Sequence, residues 1–166
     1  MSLIIDGYNL LNATTIAGTG PNRGTLANAR LALLDFVVEV VPANQLSRTT
    51  VVFDAGKNAP VGRARRHDYR GLIVHFSTGY ESADELIEEL IAKNSAPRSL
   101  TVVSSDHRLQ RAARRRRASP IDSERWYVEM TRLDRSQTEA DTRNAKPPPP
   151  TTAIEIDFWT RLFTDD

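Results

Sequence analysis

A chain of 166 residues with a hydrophobic fraction of 40% and no cysteine suits one compact domain, or one domain with a tail. It excludes a disulfide framework, a thiolate zinc site and a cysteine nucleophile. Its 22 basic and 21 acidic residues leave a formal net charge of +1, so affinity for a polyanion must come from where the charges lie. Asp35 and Glu39 interrupt the apolar stretch from Leu31 to Pro42, which excludes a membrane span, and the amino terminus lacks the basic segment and apolar run of a signal peptide. The expectation is a cytoplasmic protein.

Leu3 to Ile5 opens the chain as a short buried strand. Thr25 to Val41 then carries Leu26, Ala29, Leu33, Phe36, Val37, Val40 and Val41 at helical spacing, and Pro42 ends that helix. Thr49 to Phe53 is a second strand, Ala59 to Tyr69 a short helix or an ordered loop, and Leu72 to Phe76 a third strand. Ser82 and Glu85 form a capping box ahead of a helix over Ala83 to Lys93, whose apolar stripe is Leu86, Leu90 and Ile91. Leu100 to Val103 is a fourth strand, followed by a helix capped by Ser105 or Asp106 and running to about Arg117. Trp126 to Met130 is predicted as a fifth strand.

The domain is expected to span residues 1–134. A polar, Pro-rich linker over 135–151 follows, with Pro147 to Pro150 as a semi-rigid spacer. Residues 152–166 predict a short helix and tail, capped by Thr152 and Glu155, with Ile156, Trp159 and Phe163 on one face that docks on the domain or on a partner.

Strands alternating with helices specify an α/β domain, a central parallel sheet flanked by helices, with ligands at the carboxyl ends of the strands. Four aspartates fall at that edge: Asp6 ends strand one, Asp54 ends strand two, Asp84 begins the helix after strand three, and Asp106 follows strand four. Any one of them serves equally well as a cap or turn residue. Together they present a repulsion problem, since two carboxylates about 4 Å apart repel by roughly 4 kcal/mol at an effective dielectric near 20. Protonation or a cation must relieve it, and oxygen ligands without cysteine or paired histidine select magnesium or manganese over zinc.

Nineteen of the 22 cations are arginine, in two blocks. Arg98 to Arg117 sums to +6 and Lys57 to Arg70 to +4. Arginine's planar fork suits phosphate, and a carboxylate-held cation polarises a phosphoryl oxygen and makes a water nucleophilic near neutral pH. Nucleic acid uses both features at once. Candidate backbone contacts are Arg63, Arg65, Arg66, Arg108, Arg111, Arg114 and Arg115, with Tyr69 and Tyr80 either base-stacking platforms or packing residues. The run Arg114 to Arg117 points all around a helix, so it also reads as a solvated helix end complementing the dipole. His67, His75 and His107 lack ligand spacing and read as structural. No nucleophile-elbow pattern surrounds Ser104 and Ser105, whose expected work is to shape the turn and cap the helix, and no phosphate-binding loop of the G-x-x-x-x-G-K-[ST] kind is present.

Asp6-Gly7-Tyr8-Asn9 after the first strand, Val51-Val52-Phe53-Asp54, Glu81-Ser82-Ala83-Asp84-Glu85 and Val102-Val103-Ser104-Ser105-Asp106 resemble, in this order, the YacP-like NYN domain family, a branch of the PIN-like nucleases. The resemblance covers about residues 2–130, and Phe158 to Phe163 is similar to the family's closing helix. It implies a PIN-like three-layer fold with strand order 3-2-1-4-5, and an endoribonuclease dependent on Mg2+ or Mn2+. It also implies single-stranded or messenger RNA as substrate, with some members working at ribosomes. Matched residue by residue, it implies Asp6, Asp84 and Asp106 as metal ligands, Asp54 in an outer metal role, and Asn9 as the residue ordering Asp6. Gly7 would let the backbone turn closely beside the metal, Glu81 has a minor role, and Glu88 is the one-turn neighbour of Asp84. Two other readings compete: a non-catalytic RNA- or ribosome-binding module, and a phosphohydrolase acting on a small nucleotide. Tyr8 stands where the second aspartate of the haloacid-dehalogenase pattern would be, against the latter.

Overall fold

The computed structural model describes residues 1–14, 26–55 and 66–141, with side chains described as far as Asp134. The elements in chain order are β1 (Ser2–Asp6), α1 (Gly7–Asn12), α2 (Leu26–Val40), α3 (Ala43–Leu46), β2 (Thr49–Phe53), β3 (Arg66–Tyr69), β4 (Leu72–Phe76), α4 (Ala83–Lys93), β5 (Leu100–Val103), α5 (His107–Arg115), β6 (Ser119–Ile121) and α6 (Ser123–Asp141). They build one sheet of order β3-β4-β2-β1-β5-β6, parallel except for the antiparallel edge pair β3–β4.

Period-2 alternation divides the core into two layers. Leu3, Ile5, Val51, Phe53, Val74 and Val103 face one side and pack under α1, α2 and α6. Ile4, Val52, Leu100 and Val102 face the other, under α4 and α5. This is the expected three-layer α/β architecture, and the predicted strands one to four stand in the predicted order 3-2-1-4. Among the described residues no helix is long and apolar enough to cross a membrane.

Two predicted elements are corrected. Trp126 to Met130 is helical, within α6, despite its strand-like composition. Asp122 accepts hydrogen bonds from the Glu124 and Arg125 amides at 3.0 and 3.3 Å, which caps the helix. Trp126 is then buried and Met130, one turn on, packs on the same core, with the Trp126 ring edge-on to Phe36 at 6.2 Å. The fifth parallel strand is instead the short β6, which contains Pro120; the missing amide is tolerated because β6 is an edge strand bonded on one side only.

The expected helix or loop before Tyr69 ends in β3. A two-residue turn joins it to β4, with Arg70 and Gly71 at φ of 52° and 86° and the Asp68 carboxylate accepting from the Gly71 amide. Both φ values are those of a type I′ hairpin turn, in which glycine is the usual second residue. In α2 the inward face is Ala27, Arg30, Leu33, Leu34 and Val37, while Leu26 is 50% exposed.

The expected boundary at 134 falls within α6, whose backbone continues to Asp141. Arg63, Arg65, the Pro147 to Pro150 spacer and the predicted terminal helix lie outside the described residues.

Gly7 stands where a side chain has no room. A Cβ there would stand 2.5 and 2.6 Å from the fully buried Phe53 ring and 2.9 Å from the Val52 carbonyl oxygen. The constraint is close packing of α1 on β2. By intrinsic helix propensity a Gly7→Ala change gains up to about 1 kcal/mol, whereas overpacking a closed core costs about 1–3 kcal/mol. We expect net destabilisation in urea unfolding; a rise in midpoint would show that Phe53 yields.

Candidate active site

Because β1, β2, β4 and β5 run in one direction, their carboxyl ends share one edge of the sheet. Asp6 is the last residue of β1, Asp54 follows β2, Asp84 is the second residue of α4, and Asp106 is the residue before α5. All four predicted acidic positions therefore come to one edge.

Asp6 is only 7% exposed. Its Oδ1 accepts from the Asn9 amide at 3.2 Å, capping α1, and its Oδ2 accepts from the Ser104 hydroxyl at 3.1 Å. Burial pushes its pKa up to about 6, and the charges of Asp84 and Asp106 add to the rise; the bonds from Asn9 and Ser104 oppose it. Asp84 is also raised, first by burial, then by Asp106, with Glu88 and Asp54 adding and Arg108 opposing. Asp6, Asp84 and Asp106 thus feel one another across the edge, and Asp54 acts on Asp84.

Asp106 caps α5, its Oδ1 accepting from the Arg108 and Leu109 amides. Asp54 accepts from the Ser77 hydroxyl at 3.0 Å, and that hydroxyl accepts from the Ala55 amide, which fixes the turn after β2.

A web of small polar residues supports the acids. The Ser104 hydroxyl, wholly buried, donates to Asp6 and accepts from the Asp106 amide at 3.1 Å, so one oxygen links two carboxylate-bearing segments. Beyond shaping the turn, Ser104 therefore touches Asp6 directly. The Asn9 side-chain oxygen accepts from the Ser105 amide at 2.8 Å and from the buried Ser123 hydroxyl at 2.7 Å. Asn9 orders Asp6 through its main chain, while its side chain ties the β5–α5 loop to α6. Sequence reasoning missed Ser123, because a segment read as a strand gave no reason to place a helix start there.

Other expectations sort by position. Glu85 completes the cap of α4: its amide donates to Ser82 and its carboxylate accepts from the Glu81 amide, one residue earlier than in a standard capping box. Glu88 holds Arg108 in a two-point pair at 3.0 and 2.7 Å, which keeps its carboxyl below the usual range. Arg108 is therefore at the acidic edge but engaged, and Arg111 lies exposed one turn further along α5. Arg66 is exposed on β3 opposite His75, near the same edge. Arg114 and Arg115 lie in the last turn of α5, about 12–14 Å from Asp106 by helical rise, and so do not join the acids. Tyr69 is a packing residue, buried with its hydroxyl on Asp35 at 2.6 Å, and the Tyr80 hydroxyl donates to Glu89. Arg30 is an unexpected buried cation, its guanidinium 5.2 Å from the Tyr8 ring centre and hydrogen-bonded to the Tyr8 hydroxyl.

As the side chains stand, no three acidic or histidine residues among those described are gathered closely enough for one ion. The donor set nevertheless suits a hard divalent cation: all the candidate donors are oxygens, and Asp6 and Asp84 carry raised pKa values that a nearby cation would reverse.

The family model for the YacP-like NYN domain matches residues 3–157. Two crystal structures of Rae1 (YacP) from Bacillus subtilis share the fold, each at 24% identity. One, of a tryptophan-to-leucine mutant, aligns with a TM-score of 0.58 over 96% of this chain and 92% of that one; the other aligns at 0.56 over 86% and 83%. No curated protein sequence matches the chain.

The pKa of Asp6 sets a stability test. A raised carboxyl pKa stabilises the fold while protonated: that contribution is full below the unfolded value of 3.8 and is lost as pH rises through about 6. The displacement corresponds to about 3 kcal/mol. In EDTA, Asp6→Asn should melt higher than wild type at about pH 8, with the gap closing near about pH 4. A variant less stable than wild type at both would refute the desolvated carboxylate.

Proposed function

The chain belongs to the YacP-like NYN domain family, nuclease-like domains that act on RNA, and on that premise we propose that it is an endoribonuclease dependent on Mg2+ or Mn2+. The observation that carries the proposal is the convergence of Asp6, Asp54, Asp84 and Asp106 on one edge, with Asp6 desolvated and repelled by its neighbours. Asp6, Asp84 and Asp106 would hold the cation, with Asp54 as an outer carboxylate. Bound there, the ion supplies charge neutralisation for the phosphodiester and a nucleophile at neutral pH.

The chain's own residues do the positioning. Asn9 and Ser104 fix the Asp6 carboxylate, and the α5 cap fixes Asp106. Arg66 and Arg111, with Arg108 beside Glu88, supply cations for the RNA backbone around the edge, and Arg63 and Arg65, outside the described residues, are assigned the same work from the sequence. The substrate we assign is single-stranded RNA, messenger RNA included, met in the cytoplasm and presented by the ribosome where naked RNA is cut poorly.

A non-catalytic RNA-binding module is the competing reading, favoured by the spread of the carboxylates as they stand. Cleavage of an end-labelled RNA with manganese, magnesium or EDTA separates the two. We expect cuts that require the metal and that Asp106→Asn abolishes, while RNA binding is unchanged or tighter because a negative charge is gone. Asparagine caps helices as well as aspartate, so the fold survives the change. Asn9→Ala, which removes support rather than a ligand, should lose roughly 10–100-fold. Equal cleavage by wild type and Asp106→Asn would overturn the proposal. No cleavage on naked RNA or on translating ribosomes, with binding retained, would leave the binding module.

A further inference from the structure

At the rim opposite the acidic edge, the turn before β5 and the end of α5 enclose a cleft of about 460 Å³ lined by Ser95, Arg98, Ser99, Arg115, Arg116 and Arg117 among others. No carboxylate is among the lining residues, and no ion pair engages Arg98, Arg115, Arg116 or Arg117 among the described residues. The Arg116 guanidinium is tied down, donating to the Asn94 carbonyl at 3.2 Å. Arg115 also feels Glu88 electrostatically.

The backbone beneath is built in an unusual way. The Ala118 amide donates to the Ala113 carbonyl at 3.0 Å and the Arg117 amide to the Arg114 carbonyl at 2.9 Å, the paired bonds of a Schellman helix end. The residue at the left-handed position is normally glycine, yet Arg117 occupies it at φ 61°. An arginine is thus held in a glycine conformation at the mouth of an arginine-lined cleft. Helix-dipole complementation alone asks only for cations in the last turn, which Arg114 and Arg115 already provide.

Arg108, Arg111 and Arg115 recur at spacings of three and four on the exposed side of α5, so cationic surface runs from the acidic edge to this cleft. The run covers about 14 Å from Asp106 by helical rise, roughly four stacked nucleotides at about 3.4 Å each.

We propose that the cleft lined by Arg98, Arg115, Arg116 and Arg117 is a phosphate-binding site for the RNA backbone, holding the strand at the rim opposite the one where it is cut. Planar guanidinium forks and the Ser95 hydroxyl suit phosphate oxygens, the Ser99 hydroxyl donating instead to the Ala96 carbonyl, and the lining offers no large apolar anchor for a protein partner. The inference rests on the RNA reading of the acidic edge but not on cleavage.

The test is fluorescence anisotropy in EDTA with a single-stranded RNA of about 20 nucleotides, long enough to span both rims. Arg98→Gln with Arg117→Gly empties the cleft of two cations and puts glycine at the left-handed position, so the helix end is kept. Arg48→Gln with Arg70→Gln removes the same charge elsewhere on the surface and serves as the control. The cleft variant should bind at least about fivefold more weakly than the control, and its log–log salt slope should fall by about 1.4, the value for two lost phosphate contacts on a single strand. Equal affinities for cleft and control variants would overturn the site while leaving the acidic edge untouched. Wild type that binds no RNA would overturn the RNA reading itself, and cleavage lost only in Asp106→Asn bears on the edge alone.

Discussion

The site depends on one carboxylate that the fold keeps out of water. Asp6 stands at the end of a central strand, flanked by β2 and β5, and its two oxygens have separate work: one caps α1, the other accepts from Ser104 at the end of β5. The Ser104 hydroxyl passes the constraint to the Asp106 amide, and Asn9 passes it to Ser105 and Ser123. A short chain of hydrogen bonds therefore orients the starts of α1, α5 and α6 against a single buried charge. Buried polar groups are costly unless satisfied. Here every member named has a partner, and the residual cost appears as the raised pKa of Asp6.

That cost is informative because the fold already supplies compensation. The amino ends of α4 and α5 face the edge, and each helix end stabilises a nearby anion by about 0.3–1 kcal/mol. Asp6 and Asp84 remain shifted upward all the same. Burial, with the neighbouring carboxylates adding to it, outweighs what backbone dipoles and one nearby guanidinium can cancel, since Arg108 gives both of its contacts to Glu88. A protein that only bound RNA would gain from losing these charges, whereas a site that takes up a divalent cation needs them unbalanced until the ion arrives.

The elements positioning the site were legible in the sequence because period and cap agreed. Ser82 and Glu85 set the start of α4 where predicted, and Asp106, one of two predicted caps, sets the start of α5. With the strand runs, that was enough to bring the four aspartates to one edge. The misread elements are those where local composition contradicts tertiary context. Trp126 to Met130 has β-forming residues, yet its apolar positions one turn apart and the Asp122 cap make it a helix packed on Phe36. Pro120 argues against a strand, and edge position overrides it. The contacts of Ser104 and Ser123 could not be read at all, since hydrogen bonds spanning 98 and 114 residues leave no local pattern.

The arginine run was the least decipherable feature in one dimension and is resolved by topology. Helix α5 descends antiparallel to β5, so residues close in sequence are distributed between opposite rims. Leu109, Ala112 and Ala113 bury one face, which leaves Arg108, Arg111, Arg114 and Arg115 on the outside. The helix thus starts as a capped carboxylate at the acidic edge and ends as a cluster of cations about 14 Å away. Its macrodipole favours both placements, an anion at the amino end and cations at the carboxyl end. Separating the two charges along a rigid element also prevents the arginines from collapsing onto the aspartates and neutralising them. Glu88 does the same locally, by holding Arg108, the nearest α5 arginine. The acidic edge is left negative, while the cations lie along the helix beside it.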